Sequence, residues 1–159
     1  AYEEGGIEVT SLPGPVACVT ALTISGLSTR RFCFEAFLPT DKKERKVILE
    51  ELKTETRTTI LYEAPHRLLK TLKELYDVLG DRKTTKKYET VLLTSLEEAV
   101  SYYSEHDPKG EYVILLEGVS QEALAEEKRN DWLEMSMEDH LEYYMSQGNS
   151  KKEAMKLVE

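Results

Sequence analysis

The run Tyr62–Leu68 places an aromatic ring, a carboxylate, an imidazole and a guanidinium close together in the chain. The β-branched residues before it predict a strand, and Pro65 predicts a turn into a helix. His66 and Arg67 then lie in the first helical turn, where a cation opposes the helix dipole unless it meets an anion. The residue chemistry supports two interpretations equally: an anion-facing strand end, or a routine helix start with an incidental Glu63–Arg67 contact.

A second candidate is the turn Pro13-Gly14-Pro15, which follows a predicted strand at residues 7–12 and is followed by small residues. Such a turn exposes backbone groups at the carboxyl end of a strand, where open α/β sheets bind ligands. An ordinary tight turn explains the same residues. The sequence contains neither GxGxxG nor GxxxxGK[ST], which argues against a dinucleotide-binding fold and against a P-loop.

A third candidate is the apolar run Tyr112–Glu117, which glycines bracket at positions 110 and 118. A buried central strand accounts for it, although a ligand could meet the backbone at Leu116 and Glu117. Elsewhere, neither a nucleophile triad nor a metal-ligand spacing is legible. Cys18 and Cys33 lie in apolar runs and are expected to be buried and reduced, as in a cytoplasmic protein.

The elements that would position these residues alternate between strand and helix, so we predict an α/β fold with a layered mixed sheet of about five strands flanked by helices. Asp41 and Ser95 are predicted helix N-caps. Residues 84–93 fit no single element. The predicted domains are an α/β lobe over residues 1–120, a polar linker over 121–131, and a helix-turn-helix tail over 132–159.

The chain carries 30 acidic and 21 basic residues, a net charge of −9, which argues against broad non-specific binding to nucleic acid. Basic residues nevertheless cluster at four places: 30–31, 42–46, 82–87 and 151–152. Most such clusters are solvated helix ends and turns. No apolar stretch approaches the roughly 18 residues that a membrane span needs, so none is predicted.

Taken together, five ordered segments resemble the tetrapyrrole (corrin/porphyrin) methylase superfamily, and among its branches the one that acts on ribosomal RNA. These segments are Gly6–Leu27, Phe32–Pro39, Leu61–Leu72, Thr85–Thr90 and Lys109–Gly118. The tail with Gly148–Ala154 looks like the start of that branch's helical C-terminal domain. The resemblance implies S-adenosyl-L-methionine as cofactor, and methyl transfer to the ribose 2′-hydroxyl of a cytidine in 16S rRNA of the small ribosomal subunit. It also implies two α/β lobes around the cofactor, a cytoplasmic homodimer, and no metal.

The resemblance also assigns site residues. One wall of the cofactor site is expected to comprise Val16, Ala17, Leu61, Tyr62, Leu116 and Glu117. Glu63, His66 and Arg67 are expected to face the substrate, with Arg30 and Arg31 as weaker candidates for phosphate contacts. The sequence does not identify a catalytic base.

Three departures from the family pattern matter. The family's N-terminal lobe lies outside this chain, so we expect the chain alone to be inactive. Ala36 stands where the family usually has Gly, which is expected to restrict a backbone bend. Lys83 runs directly into Thr84, where the family has a further strand and an Arg-Glu-Leu stretch. If that stretch is deleted rather than unlisted, we expect one strand of the sheet to be missing.

Two alternatives to the rRNA enzyme remain open. The chain could be part of a corrin or porphyrin precursor methylase, which runs the same reaction on another acceptor. It could also be a non-catalytic module for cofactor binding or dimerisation. The helix-turn-helix tail favours RNA over a tetrapyrrole.

Overall fold

The computed structural model describes residues 10–88 and 90–158, which form an α/β fold with a helical C-terminal tail, as predicted. The strands are β1 (Phe32–Phe37), β2 (Thr58–Glu63), β3 (Lys83–Tyr88), β4 (Thr90–Ser95) and β5 (Tyr112–Leu116). The helices are α1 (Ala17–Ile24), α2 (Lys42–Glu51), α3 (Pro65–Leu79), α4 (Leu96–Glu105), α5 (Gln121–Glu134), α6 (Met137–Ser146) and α7 (Lys151–Val158).

The five strands form one mixed sheet in the order β1-β2-β5-β3-β4. β1 and β2 are parallel, and every other neighbouring pair is antiparallel. β5 therefore lies at the centre of the sheet, although it is the last of these five strands along the chain. Of the predicted strand at residues 7–12, positions 7–9 lie outside the described residues, and residues 10–12 form no strand.

The side chains of β2 and β5 alternate between two hydrophobic layers, as expected for a sheet covered on both faces. α1 packs on one face, against Ile60, Val113 and Leu115. On the other face, α2, α3 and α4 cover Leu61 and Ile114. All five strand residues are at most 8% exposed, so both faces at the centre of the sheet are closed to water.

The helix starts follow the predicted caps. The Asp41 carboxylate accepts hydrogen bonds from the backbone N–H groups of Lys43 and Glu44 at the start of α2. Ser95 and Glu98 form a reciprocal capping box at the start of α4. Each cap satisfies N–H groups that have no partner within the helix, and this fixes where the helix begins.

The ambiguous residues 84–88 and 90–93 belong to the antiparallel pair β3–β4. β3 runs unbroken across the Lys83–Thr84 junction and pairs with β5. Thr84 and Thr85 are 2% exposed, and their hydroxyls donate to the carbonyls of Leu115 and Ser25. β-Branched residues suit this position because they pack well on a pleated surface.

The backbones of Gly118 and Thr56 approach each other closely just after the end of β5. A Cβ at Gly118 would collide with the carbonyl of Thr56, so only glycine fits there. The next residue, Val119, donates its N–H to the carbonyl of Glu55 at 2.8 Å. The chain is thereby held against the segment that leads into β2.

Residues 120–159 form a second compact unit. Residues 121–131, predicted as a linker, form most of α5, and the start of the predicted helix-turn-helix tail is divided between α5 and α6. Ser120 caps α5 and accepts the N–H of Ala123. Strong helix formers follow the cap, so α5 forms although none of its residues is buried. The Trp132 ring packs edge-on against His140, with centroids 4.4 Å apart.

α6 and α7 are joined through Gly148, whose φ is 91°, in agreement with the predicted turn. None of the helices in the described part of the chain combines the length and the apolar character needed to cross a bilayer.

Candidate functional site

The start of α1 and the end of β2 meet at one edge of the sheet. The backbone N–H of Cys18 donates to the Tyr62 hydroxyl at 3.2 Å. Val16 is the N-cap of α1 and is 48% exposed, and Ala17 is also exposed. The structure thus brings together three of the residues predicted for the cofactor wall: Val16, Ala17 and Tyr62.

Tyr62 is half-buried, and its phenol is held in the neutral form. Burial, and secondarily a hydrogen bond with the Cys18 side chain, raise the pKa of Tyr62 above its ordinary value of 10. A neutral phenol is a hydrogen-bonding group and a poor base. Tyr62 is therefore suited to positioning a ligand rather than to removing a proton.

Two exposed phenylalanines extend this edge. The Phe34 ring lies 5.1 Å from the Tyr62 ring and the Phe37 ring 5.7 Å, both edge-on. Each phenylalanine is 48% exposed. We call Phe34, Phe37 and Tyr62 the aromatic surface.

A β-bulge creates the aromatic surface. Phe34 pairs with Ile60 and Phe37 with Tyr62, and the register shifts between Phe34 and Ala36. Residues three apart in a regular strand point to opposite faces. The extra residue in the bulge shifts the alternation of the side chains that follow it, so both rings lie on the same face of the sheet as Tyr62.

The bulge depends on the backbone bend expected at Ala36. Its φ is 54°, and Ala36 is the one non-glycine residue with a positive φ among residues 10–88 and 90–158. The left-handed region costs an L-residue with a Cβ roughly 1–2 kcal/mol. Ala36 therefore pays a conformational cost at the position where the family pattern has glycine.

Glu63, which was predicted to face the substrate, is buried beneath α3 rather than exposed at the edge of the sheet. The residue is 1% exposed. Its Oε1 accepts the backbone N–H of Ala64 at 2.9 Å, and its Oε2 accepts the Thr71 hydroxyl at 2.5 Å. Strand alternation turns Glu63 to the face opposite Tyr62, beneath α3, where those donors lie.

The same buried network reaches α2 and the segment after β1. Arg45, 7% exposed, donates to the Thr71 hydroxyl at 2.8 Å and to Glu74 at 2.6 Å. Arg67 donates to the carbonyl of Leu38 at 3.1 Å, and its Nε lies 3.6 Å from the Glu63 carboxylate. The network thus holds the chain directly after Phe37 against α3.

His66 is exposed in the first turn of α3, at the same edge of the sheet as Tyr62. Arg30 and Arg31 are exposed immediately before β1. Because β1 and β2 run parallel, these two arginines lie at the end of the sheet remote from Tyr62. The structure does not bring them together with His66 and Arg67.

The other three residues predicted for the cofactor wall also separate from Tyr62. Leu61 is fully buried in the layer under α2, α3 and α4. β5 runs antiparallel to β2, so Tyr62 faces Val113 while Leu116 faces Thr59. Leu116 and Glu117 therefore lie toward the opposite end of the sheet, and the structure does not bring all six residues together. The direction of β5 could not be predicted from its composition.

Neither cysteine adds a reactive group to this edge. Cys18 is buried, and the Cys33 thiol lies 3.1 Å from the Thr59 hydroxyl. Burial, the largest effect, raises the pKa of the Cys33 thiol, which keeps it protonated. In the described part of the chain, His, Cys, Asp and Glu form no group of three or more that could hold a metal ion.

Curated proteins from three bacteria align with nearly the whole chain, and each is named ribosomal RNA small subunit methyltransferase I. The protein of Bacillus subtilis is 40% identical over 161 residues, covering 98% of this chain and 55% of the relative. That of Halalkalibacterium halodurans is 43% identical over 159 residues (96% and 54%), and that of Synechocystis sp. is 39% identical over 158 residues (95% and 55%). Nearly the whole chain is therefore similar to about half of each of these methyltransferases, at about 40% identity.

These similarities confirm the resemblance to the tetrapyrrole methylases and to their rRNA branch. The chain spans about half the length of the curated relatives it matches. No protein-family profile matches the chain.

Sequence reasoning missed the roles of Phe34, Phe37, Arg45 and Thr71. In a regular strand, the rings of Phe34 and Phe37 would lie on opposite faces of the sheet. The signal that could have found them is the positive-φ position implied by the family's glycine at Ala36. Arg45 and Thr71 carried no signal, because their pairing depends on how α2 and α3 pack.

Proposed function

We propose that this chain is part of an enzyme that transfers a methyl group from S-adenosylmethionine to the ribose 2′-hydroxyl of a cytidine in 16S rRNA. The observation that carries the proposal is about 40% identity, over nearly the whole chain, to relatives named for methylating small-subunit rRNA. Because small ribosomal subunits are cytoplasmic, we also propose a cytoplasmic location for the enzyme. We also propose that it works as a homodimer.

The aromatic surface supports a role in binding the cofactor. A flat heteroaromatic ring such as adenine stacks on exposed aromatic side chains, and Phe34 and Phe37 are each about half exposed. Val16 and Ala17 present a small apolar surface beside them, and the Tyr62 hydroxyl supplies a polar group. These residues fit the adenosine portion of S-adenosylmethionine.

When bound, S-adenosylmethionine would supply the methyl group of its sulfonium to the ribose 2′-oxygen and leave as S-adenosylhomocysteine, while the 2′-hydroxyl would give up its proton. A ribose hydroxyl is a weak nucleophile, so positioning matters. This chain contributes one binding wall, held by the Cys18–Tyr62 contact and by the network beneath α3. Glu63 is excluded as the base at this edge because its carboxylate is buried and bonded to Thr71 and Ala64.

The decisive experiment uses the complete enzyme that contains this chain. It is incubated with methyl-labelled S-adenosylmethionine and small ribosomal subunits from a strain that lacks the modification. We expect label in 16S rRNA at a cytidine whose 3′ phosphodiester resists alkaline cleavage, the signature of a 2′-O-methyl group. Label on a tetrapyrrole acceptor and none on rRNA would overturn the proposal.

Variants of the aromatic surface test the cofactor role in the same enzyme. Stacking contributes about 1–3 kcal/mol per ring, so Phe37→Ala should weaken S-adenosylmethionine binding about tenfold or more by calorimetry. Phe32→Ala is the matched control, since Phe32 is 41% exposed on β1 but pairs with Thr58, at the far end of β2 from Tyr62. Equal losses in both variants would contradict the assignment.

A further inference from the structure

A groove of about 320 Å³ lies between α2 and α3, on the sheet face opposite α1. Thr40, Lys42 and Lys46 line one side of it, and Lys70, Glu74 and Asp77 line the other. It opens beside the edge of the sheet that carries the aromatic surface. Thr40 follows β1 closely, and Lys70 is one helical turn beyond the exposed His66.

The groove is basic in a protein of net charge −9. Four basic and two acidic side chains line it, but the Arg45 guanidinium is committed to Glu74 at 2.6 Å. Lys70 reaches Glu74 only at 3.8 Å, and its side chain is 73% exposed. Within residues 10–88 and 90–158, Lys42 and Lys46 take part in no ion pair. Three ammonium groups therefore remain available around the groove.

Lys42 and Lys46 lie at positions where their charges lower the stability of α2. Lys42 is the first residue of α2, where a positive charge opposes the helix dipole. Lys42 and Lys46 are four residues apart on one helix face, and like charges at this spacing repel. Each effect costs a few tenths of a kcal/mol. A charge placed against the dipole is favourable when it meets an anion from outside the chain.

We propose that this groove binds the phosphate backbone of RNA and guides the strand toward the aromatic surface. The inference rests on the proposed function, because it names how the rRNA substrate reaches that edge. RNA is favoured over an acidic protein surface because lysines on flexible stems bind phosphates as point charges without demanding a fixed partner geometry. The two helices that line the groove also begin near the edge where the reaction is proposed, because α2 follows the end of β1 and α3 follows the end of β2.

The test measures binding of this chain to a fluorescein-labelled single-stranded RNA of about 20 nucleotides by anisotropy across a salt series. Each phosphate contact to a single strand contributes about 0.7 to the slope of log affinity against log salt. Lys42→Gln/Lys46→Gln should reduce the slope by about 1.4 and weaken binding on the order of tenfold near 0.1 M salt. Lys70→Gln, on the other helix, should act in the same direction.

The matched control is Lys43→Gln/Lys53→Gln. It removes the same charge from α2 and the residues just after it, at positions that do not line the groove. Circular dichroism checks that all variants are folded. The proposal is overturned if the wild-type chain does not bind RNA, or if the control loses as much affinity as the groove variant. It is also overturned if the groove variant loses affinity for poly-L-glutamate but not for RNA, since the groove would then face an acidic protein.

The outcome is separable from that of the proposed function. Methylation of 16S rRNA by the complete enzyme, together with unchanged RNA binding in the groove variants, would reject the groove and keep the function. RNA binding through the groove, without methylation of rRNA by the complete enzyme, would keep the groove and reject the proposed function.

Discussion

Thr71 places one hydroxyl between two buried charged side chains. It donates to the Glu63 carboxylate and accepts from the Arg45 guanidinium. Buried charges are tolerated when their hydrogen-bonding capacity is satisfied. One hydroxyl of α3 therefore links the end of β2 to α2, two elements that flank the proposed site.

Removing that hydroxyl should be costly although the side chain keeps its shape. Thr71→Val leaves a carboxylate and a guanidinium each without one partner, and hydrogen bonds to charged groups are worth about 1.5–3 kcal/mol. We expect a loss of about 2–4 kcal/mol in the free energy of unfolding, measured by urea denaturation. Thr54→Val, at an exposed site three residues after α2, is the control and should change stability by less than about 0.5 kcal/mol. Similar losses at both sites would contradict the bridging role.

The residue scale also shows the limits of spacing arguments. The sequence placed Tyr62, Glu63, His66 and Arg67 at a strand-to-helix turn, and the structure has that turn. Neighbouring strand residues point to opposite faces, so Tyr62 reaches the exposed edge while Glu63 is buried. Which face lies open depends on where α1 and α3 pack, and that information is not local.

At the scale of elements, β1 owes its aromatic face to the bulge, and the bulge requires the positive φ of Ala36. Ala36→Gly relieves a cost of about 1–2 kcal/mol in the left-handed region, offset by about 0.5–1 kcal/mol of extra chain entropy in the unfolded state. We expect a net stabilisation of about 0.5–1 kcal/mol in urea denaturation.

A change from alanine to glycine at a helical position should instead lower the stability of the protein. Ala17→Gly in α1 should destabilise by about 0.5–1 kcal/mol, because there the backbone gains nothing from glycine. A destabilising Ala36→Gly would show that the strand is not bent at this residue.

The helices of the α/β lobe were largely predictable, because Asp41, Ser95 and Pro65 mark starts through local chemistry. The pairing of strands was not. β3 is polar, and its place beside β5 comes from contacts distant in sequence. α5 was missed for a different reason: its propensity is high, but its surface lacks the apolar stripe by which helices are recognised.

At the scale of the whole molecule, acid stability should depend on an ion pair near the start of β2. Glu55 accepts hydrogen bonds from the backbone N–H and the guanidinium of Arg57. The side-chain hydrogen bond from Arg57 is the largest effect and lowers the pKa of Glu55 from 4.5 to about 2. The backbone carbonyl of Glu55 also accepts the N–H of Val119. The Glu55–Arg57 pair therefore lies where the start of β2 meets the end of β5.

The direction of the pH dependence follows from the lowered pKa. The stabilisation is present above pH 4.5 and is lost as the pH falls from there toward 2, because Glu55 must then be protonated in the folded state. Glu55→Gln should therefore be less stable than wild type at neutral pH, and the difference should shrink at low pH. The test compares the urea midpoints of unfolding of the variant and the wild type across this pH range. Glu51→Gln removes a carboxylate from the exposed face of α2 and is the matched control. A difference that grows toward low pH would refute the assignment.

The position of β5 has a consequence for the order of events during synthesis. β5 pairs with β2 on one side and with β3 on the other, yet it is made after both. Until Tyr112–Leu116 has left the ribosome, β1–β2 and β3–β4 are two unconnected strand pairs. Each has an open edge that can pair with another chain. The nascent polypeptide therefore closes its sheet in one late step, and a translational pause shortly before residue 112 would leave it at its most aggregation-prone.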